Sequence, residues 1–253
     1  MKALNLLPIL AVCTSLAGCA TGPAQLDASD VQRLSAMQPV AVVYVDPIAV
    51  LDGNLSGQGQ RQEDLGAQLG DLRLISKFKT QLEPYQPRAQ QLGVADRQYE
   101  AVHAALSAVP WLKDATWTRI RKTDADFNEF NFQLATSEKA VGRVVIVIEA
   151  GATLYSYVDE LHTSVNLDIY TKKVATSTDR PAHFTSDRLD GVADLGNPGP
   201  ELGSNGRQPP EAEVKDRLDR LFGGDPAPFA DDLDMALTSL KRQLTGYFSG
   251  TNQ

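Results

Sequence analysis

Cysteine is nearly absent from this chain of 253 residues: Cys13 and Cys19 are the only two, and both fall within the first nineteen positions. The rest of the chain therefore has no disulfide and no thiolate metal site, and it must be stabilised by packing. Histidine is almost as scarce. The three present are scattered, none with acids at metal-ligand spacing, so no metal and no other cofactor is expected. Positive charge is short as well, with 24 Lys and Arg against 32 Asp and Glu and a formal net charge of -8. Without a basic stripe, that balance argues against nucleic acid as a partner and against a polybasic hold on anionic lipid. The first apolar segment, Ala3 to Val12, is interrupted by Pro8. It is too short for a membrane-spanning helix, which needs about 20 apolar residues.

What is present is a globular composition, 42% apolar and 22% charged, sufficient to bury a core in one sizeable domain or two small ones. The N-terminus carries a different signal. Lys2, the apolar segment and the small residues before Cys19 follow the order of a secretory signal peptide. Leu16-Ala17-Gly18-Cys19 resembles the lipobox of bacterial lipoproteins, four residues at the expected distance from the start. The resemblance implies cleavage between Gly18 and Cys19, with a diacylglyceryl group on the Cys19 sulfur and an acyl group such as palmitate on its new amino terminus. Two or three acyl chains hold a protein on a bilayer where one is marginal. Position 20 is Ala rather than Asp, and the family's retention rule then points to the outer membrane, facing the periplasm.

Residues 19–38 read as a lipidated tether, its first part ("ATGPAQLDAS") without apolar period. "PVAVVYVDP" (39–47) reads as a buried first strand and 52–60 as a loop. Leu65, Leu69, Leu72, Ile75, Phe78 and Leu82 recur at helical spacing, so a helix is expected from Gln62 to Leu82, stopping near Pro84 and Pro87. A second helix is expected over 95–108, a strand over 115–121, and a helix presenting Phe127, Phe130, Leu134 and Val141 on one face. "VVIVIEA" (144–150) is the strongest core-strand signal. A hairpin about Asp159-Glu160 follows, with Val165, Leu167 and Ile169 inward and Ser164, Asn166, Asp168 and Tyr170 outward. An edge strand is expected in 181–189. Residues 191–210, rich in Gly and Pro, read as a mobile loop before two C-terminal helices over 211–222 and 228–248.

Candidate chemistry is thin. Glu149 is the one acid in an apolar strand, near the end where α/β proteins place sites. His162, Ser164, Asn166 and Asp168 share one strand face, but side chains two apart point away in parallel rather than converging. Glu149, His162 and Asp168 are nonetheless the candidate acids and bases for a cell-wall hydrolase. Ser76 and Lys79 match S-x-x-K without the companion elements of penicillin-recognising enzymes. Gly57-x-Gly59 lacks the third glycine of a dinucleotide loop, and Asn54-Leu55-Ser56 is a glycosylation sequon in form only. Trp111 and Trp117 read as core.

The fold expected is α/β (α+β): a mixed, mainly antiparallel sheet of about five strands covered by helices. The organisation expected is a signal peptide (1–18), the tether (19–38), a sheet domain (39–190), the loop (191–210) and C-terminal helices (211–253) packed on that domain. In element order it is similar to the periplasmic domains of the curli-secretion lipoprotein and of lipoproteins that activate penicillin-binding proteins, over about residues 39–175. The functional expectation is a lipid-anchored, non-enzymatic envelope lipoprotein with a binding or structural role, its partner an envelope protein or glycan. A cell-wall hydrolase and a carrier of a small apolar ligand are the alternatives.

Overall fold

The computed structural model describes residues 26–47, 50–54, 65–121, 131–137, 140–155, 158–176, 179–196 and 210–250. In chain order these form α1 (Ala28–Ser35), β1 (Val40–Asp46), β2 (Asp52–Gly53), α2 (Leu65–Leu82), α3 (Gln86–Gln91), α4 (Val94–Ser107), β3 (Thr116–Arg121), α5 (Asn131–Thr136), β4 (Val144–Tyr155), β5 (Glu160–Thr171), β6 (Ala182–Asp194), α6 (Glu211–Phe222) and α7 (Ala227–Ser249). A single 3-10 turn, Glu83–Tyr85, joins α2 to α3.

The apolar run of β1 is buried on both faces, because β1 lies between parallel neighbours, β3 on one side and β4 on the other. Beyond β4 the sheet turns antiparallel through β5 to β6, giving the order β3-β1-β4-β5-β6, with β2 beside the far part of β4. The sheet is thus mixed, mainly antiparallel by residues paired and covered by helices as expected, with β6 as the expected edge strand and the short β2 as a sixth strand.

Alternation sorts each strand between two faces. Val40, Val42 and Tyr44 of β1, Ile146 and Ile148 of β4, and Val165, Leu167 and Ile169 of β5 join Val102 and Leu106 of α4 and Leu240, Leu244 and Phe248 of α7 in the main core. The first half of α7, with Phe229, Leu233 and Leu237, joins Phe78, Leu82, Ala152, Leu154, Leu218 and Phe222 in a second cluster. One stripe of α7 therefore runs from one end of the domain to the other. On the reverse face Leu134 and Ala135 of α5 join Ala41, Val43, Val45, Val145, Val147 and Tyr170 in a third cluster. Tyr170 is accordingly 6% exposed, on the outward face as expected but packed rather than solvated.

Three expectations are corrected. The stretch 19–38 is not a tether throughout: the Asp27 carboxylate caps α1 by accepting from the Asp30 amide at 2.7 Å, and Leu26 and Leu34 are buried. The Leu26 amide also donates to the Tyr247 carbonyl at 3.4 Å, so the chain is docked on the end of α7 from Leu26 onward. Second, residues 191–194 belong to β6 rather than to a loop. Third, Val141 lies beyond the end of α5 and is 49% exposed, because the helix stops at Thr136. Phe127 and Phe130, and residues 197–209 of the expected mobile loop, lie outside the described residues.

Trp111 packs against the main core, and its indole N–H donates to the Phe248 carbonyl at 3.0 Å, closing the last turn of α7. Trp117 packs edge-on to Tyr99 and beside His103.

Candidate functional site

Strand β1 ends at Asp46, where its neighbours diverge in sequence: the chain crosses to β3 on one side and later returns as β4 on the other. This is the switch point at which open α/β sheets hold ligands, outside the carboxyl ends of the strands. Here the gap is enlarged. The chain leaves β1 and rejoins β4 only at Asp52–Gly53, opposite Thr153 and Leu154. Between the two pairings a cleft of about 860 Å³ opens, lined among others by Asp46, Lys79, Glu83, Gln86, Glu149 and Asn166.

The wall of the cleft is built by local chemistry. Gln86, at the start of α3, takes the place of a strand neighbour for Leu51: the Leu51 amide donates to Gln86 Oε1 at 3.1 Å, and the Gln86 amide group donates back to the Leu51 carbonyl. Gly53 admits α2, since a Cβ there would sit 2.7 Å from Leu82 Cδ1 and 2.8 Å from Phe78 Cδ1. The next turn is tied to α6 by Tyr85, whose hydroxyl donates to Asp219 at 2.6 Å and whose ring lies 5.6 Å from Phe222.

Burial, with the Asp219 hydrogen bond second, pushes the Tyr85 phenol up to about 12. A raised phenol contributes stability below its ordinary value of 10, and that contribution is lost as pH rises from 10 towards 12. In an ultraviolet titration Tyr85 is therefore expected to ionise late, and Tyr85→Phe to remove that late component. Because the bond is exposed, the variant should cost no more than about 1 kcal/mol in denaturant unfolding at neutral pH.

The charges at the cleft are largely paired. Asp46, 4% exposed, accepts from Arg119 Nε at 2.9 and 3.0 Å, and Arg121 Nε lies 3.6 Å away. Arg119 also reaches Asp96 at 2.7 Å and lies over the Tyr99 ring at 4.6 Å. Desolvation weakens the hold of Arg119 on its proton, but the hydrogen bonds to Asp46 and Asp96 outweigh it and raise its pKa overall. Burial, then the Asp46 charge, raises the Tyr44 phenol, which stays neutral. Asp52 pairs with Lys79 at 2.9 Å, both about half exposed, a bond worth little in water.

Of the three acids and bases singled out in the sequence, only Glu149 lines the cleft. It shares its sheet face with His162 and Asp168, but the register keeps them apart. Glu149 pairs with Asn166, whereas His162 pairs with Thr153 and Asp168 with Val147. Six residues separate His162 from Asp168 along β5, roughly 20 Å at 3.3 Å per residue, so the three do not form one catalytic constellation. His162 instead lies 2.8 Å from Glu160 and against the Tyr155 ring, and Asp168 accepts from Ser186. Ser76 is exposed on α2, and Lys79 is engaged with Asp52. Gly18, Cys19, Gly57 and Gly59 lie outside the described residues, as do Leu55 and Ser56 of the sequon. Among the described residues no group of His, Cys, Asp and Glu is placed to hold a metal ion, and no helix is long and apolar enough to cross a membrane.

Sequence reasoning missed Asp46, Gln86 and Asn166 as cleft residues. For Asp46 a signal existed: an acid at the carboxyl end of a buried strand, followed by proline. Gln86 and Asn166 carry no such mark, because they meet the cleft only through the packing of α3 and the pairing of β5.

No family model matches the chain, and no curated protein matches it. Among solved structures it is similar to the hypothetical protein CT253 from Chlamydia trachomatis, at 10% sequence identity and a TM-score of 0.30, over 84% of this chain and 100% of that one. That likeness is too slight to carry fold or function across. The class of protein is therefore stated from the structure alone: a mixed α/β domain with a cleft of polar and apolar lining at the switch point of its sheet.

Proposed function

We propose that the protein is an envelope lipoprotein, held by acyl chains on Cys19 after removal of residues 1–18, which binds an envelope protein or glycan in its cleft and performs no catalysis. The membrane is the outer membrane and the domain faces the periplasm. The observation that carries the binding role is the cleft at the end of β1, where amides, carboxylates and a lysine share the lining with Leu51, Leu82, Ala150 and Ala152. Its most buried acid is already neutralised by two arginines, an arrangement suited to holding a shape rather than to moving a proton.

The anchor is tested by metabolic labelling. The native chain is expected to incorporate palmitate and to partition into detergent, and Cys19→Ser is expected to do neither. An unlabelled native chain, or one retaining residues 1–18, overturns the address. The binding role is tested by affinity capture from detergent-solubilised envelopes of the bacterium that carries the protein, comparing the native chain with Asn166→Trp, which fills the cleft mouth. A partner recovered in stoichiometric amount by the first and lost by the second is expected; equal recovery by both removes the cleft from the account.

A further inference from the structure

Where β4 begins and β5 ends, the sheet gathers positive charge that no acid balances. The β4–β5 ladder starts at Val144 opposite Thr171, and one step further the Lys172 amide donates to the Arg143 carbonyl at 2.8 Å. Arg143 and Lys172 are therefore directly opposite each other, with Cβ atoms about 5 Å apart. Alternation sets Arg143 with Val145 and Val147 and sets Lys172 with Tyr170, which is the same reverse face of the sheet. Like charges so placed repel and destabilise the pairing.

Neither cation has a counterion at contact among the described residues. Lys172 is only 2% exposed, and its ammonium donates to the Ala140 carbonyl at 2.9 Å and the Thr176 carbonyl at 3.2 Å. Those two dipoles leave one of its three N–H groups over and its charge unbalanced. Burial weakens its hold on its proton, and the field of Asp179 opposes that, but the Asp179 carboxylate accepts from the Val174 amide at 2.9 Å instead of pairing with the lysine. Arg143 is barer still. Its Nε is shut off from water without a partner, whereas the residue as a whole is partly exposed, so the guanidinium fork is reachable from solvent.

Elsewhere the protein answers such groups with acid: Arg119, Arg188 and Arg217 each meet a carboxylate within 3.0 Å. Here the next carboxylates on the face, Asp168 of β5 and Glu149 of β4, lie four and six residues along their strands, roughly 13 and 20 Å away. Asp168 is also engaged, accepting from Ser186 and standing 3.7 Å from His183. A buried cation kept beside a second one is a standing cost unless an anion completes the pair.

We propose that Arg143 and Lys172 form a binding site for a dianionic phosphate group, carried as inorganic phosphate or as the terminal phosphate of a small soluble ester. Two cations match a charge near -2, the guanidinium fork bonds two phosphate oxygens at once, and the ammonium behind it supplies a compact charge. A carboxylate or a phosphodiester brings one charge and leaves the pair half neutralised. Neither residue lines the cleft, so the site stands independently of the anchor and of the partner proposed above.

The test is thermal unfolding of the purified full chain near pH 7.5, in sodium phosphate against sodium chloride of equal ionic strength. For a dissociation constant on the order of 1 mM, about 10 mM phosphate multiplies the folding constant roughly tenfold. Methyl phosphate is expected to match it. Dimethyl phosphate, which has the charge type of a phospholipid headgroup, and acetate are each expected to act less than about twofold. Arg143→Gln removes a fork that bonds nothing in the fold; it is expected to melt like the native chain in chloride and to lose the phosphate effect. The general exclusion of phosphate from protein surfaces acts on both chains alike, so the difference between them reads the site. Calorimetric titration of the native chain with phosphate keeps the test decisive if the variant does not fold, with saturable heat expected. An equal phosphate effect in native chain and Arg143→Gln, an equal effect of dimethyl phosphate or acetate, or no saturable heat overturns the proposal. So does phosphate binding that appears only in Glu138→Gln, since Glu138, which lies outside the described residues, would then be the anion the pair already holds.

Discussion

Gly191→Ala is expected to be the most damaging added methyl among the described glycines, lowering stability by about 3 kcal/mol or more. In β6, Gly191 is buried against α7 so closely that an added Cβ would stand 2.0 Å from the Ala236 carbonyl oxygen, 2.6 Å from the Leu240 amide nitrogen and 2.8 Å from Leu240 Cβ. Two of these are backbone atoms of a helix whose stripe spans both core clusters, so no rotamer change relieves the clash. Either α7 or β6 must move. Movement of α7 loosens Phe229, Leu233, Leu240 and Leu244 together, and movement of β6 strains its pairing with β5 and the bond from Gln243 to the Asp190 carbonyl at 2.7 Å. For a domain of this size the loss corresponds to a fall in Tm of roughly 6–12 °C, read by circular dichroism. Gly224→Ala, in open space, is the control and is expected to stay within about 0.5 kcal/mol of the native chain. A Gly191→Ala variant as stable as that control would show that α7 does not seat on β6 in this way.

The second large effect is expected at Arg217, a buried cation at 5% exposure. It donates to Asp159 at 2.8 Å and to Glu213 at 2.7 Å, pinning α6 to the turn between β4 and β5. Glu213 is about half exposed and can return to water when the arginine is lost, but the Asp159 side chain is only 14% exposed and cannot. Arg217→Ala is therefore expected to cost about 2–4 kcal/mol, near the range for breaking a buried pair from one side, measured by denaturant unfolding at pH 7. The pH dependence gives the variant a signature. Burial already raises the Asp159 pKa and Arg217 opposes the rise, so removing the arginine raises it further. A carboxyl whose folded pKa lies above its unfolded value favours the folded state when protonated, so the deficit should shrink as pH falls towards the carboxylate range and be full at neutral pH. Removing both charges, as Arg217→Met with Asp159→Leu, should recover much of the loss. A deficit unchanged between acid and neutral pH would show that the ion pair is not its source.

The elements with strong local periodicity were legible from the chain. The β1 run, "VVIVIEA", the alternation of Val165, Leu167 and Ile169, and the stripe from Phe229 to Phe248 each report how much of a segment is buried and with what period, which is a property of neighbours in sequence. Local reading failed where a distant partner decides. Gly191 looked like the start of a flexible segment because glycine lowers the cost of disorder, yet it is glycine because a helix 45 positions later leaves no room for a side chain. Asp27 and Leu26 looked like tether because the ten residues 20–29 carry no apolar period, yet a single cap and the end of α7 order them. Tyr170 alternates outward, but it is buried in the cluster that also holds Leu134 and Ala135 of α5.

What the sequence determined by itself was the type of the main elements and the thiol-free, acidic character of the body, together with a four-residue resemblance to a lipobox. What only the tertiary structure decided was which residues meet: that Glu149 shares a cleft with Asp46 and Gln86, that His162 and Asp168 stand apart from it, and that Leu26 docks on the end of α7. The division has one physical cause. Periodicity, capping and charge are set by residues within a turn or two of each other. A cleft is set by strand order and by the crossing of helices far apart in the chain, and neither leaves a local mark.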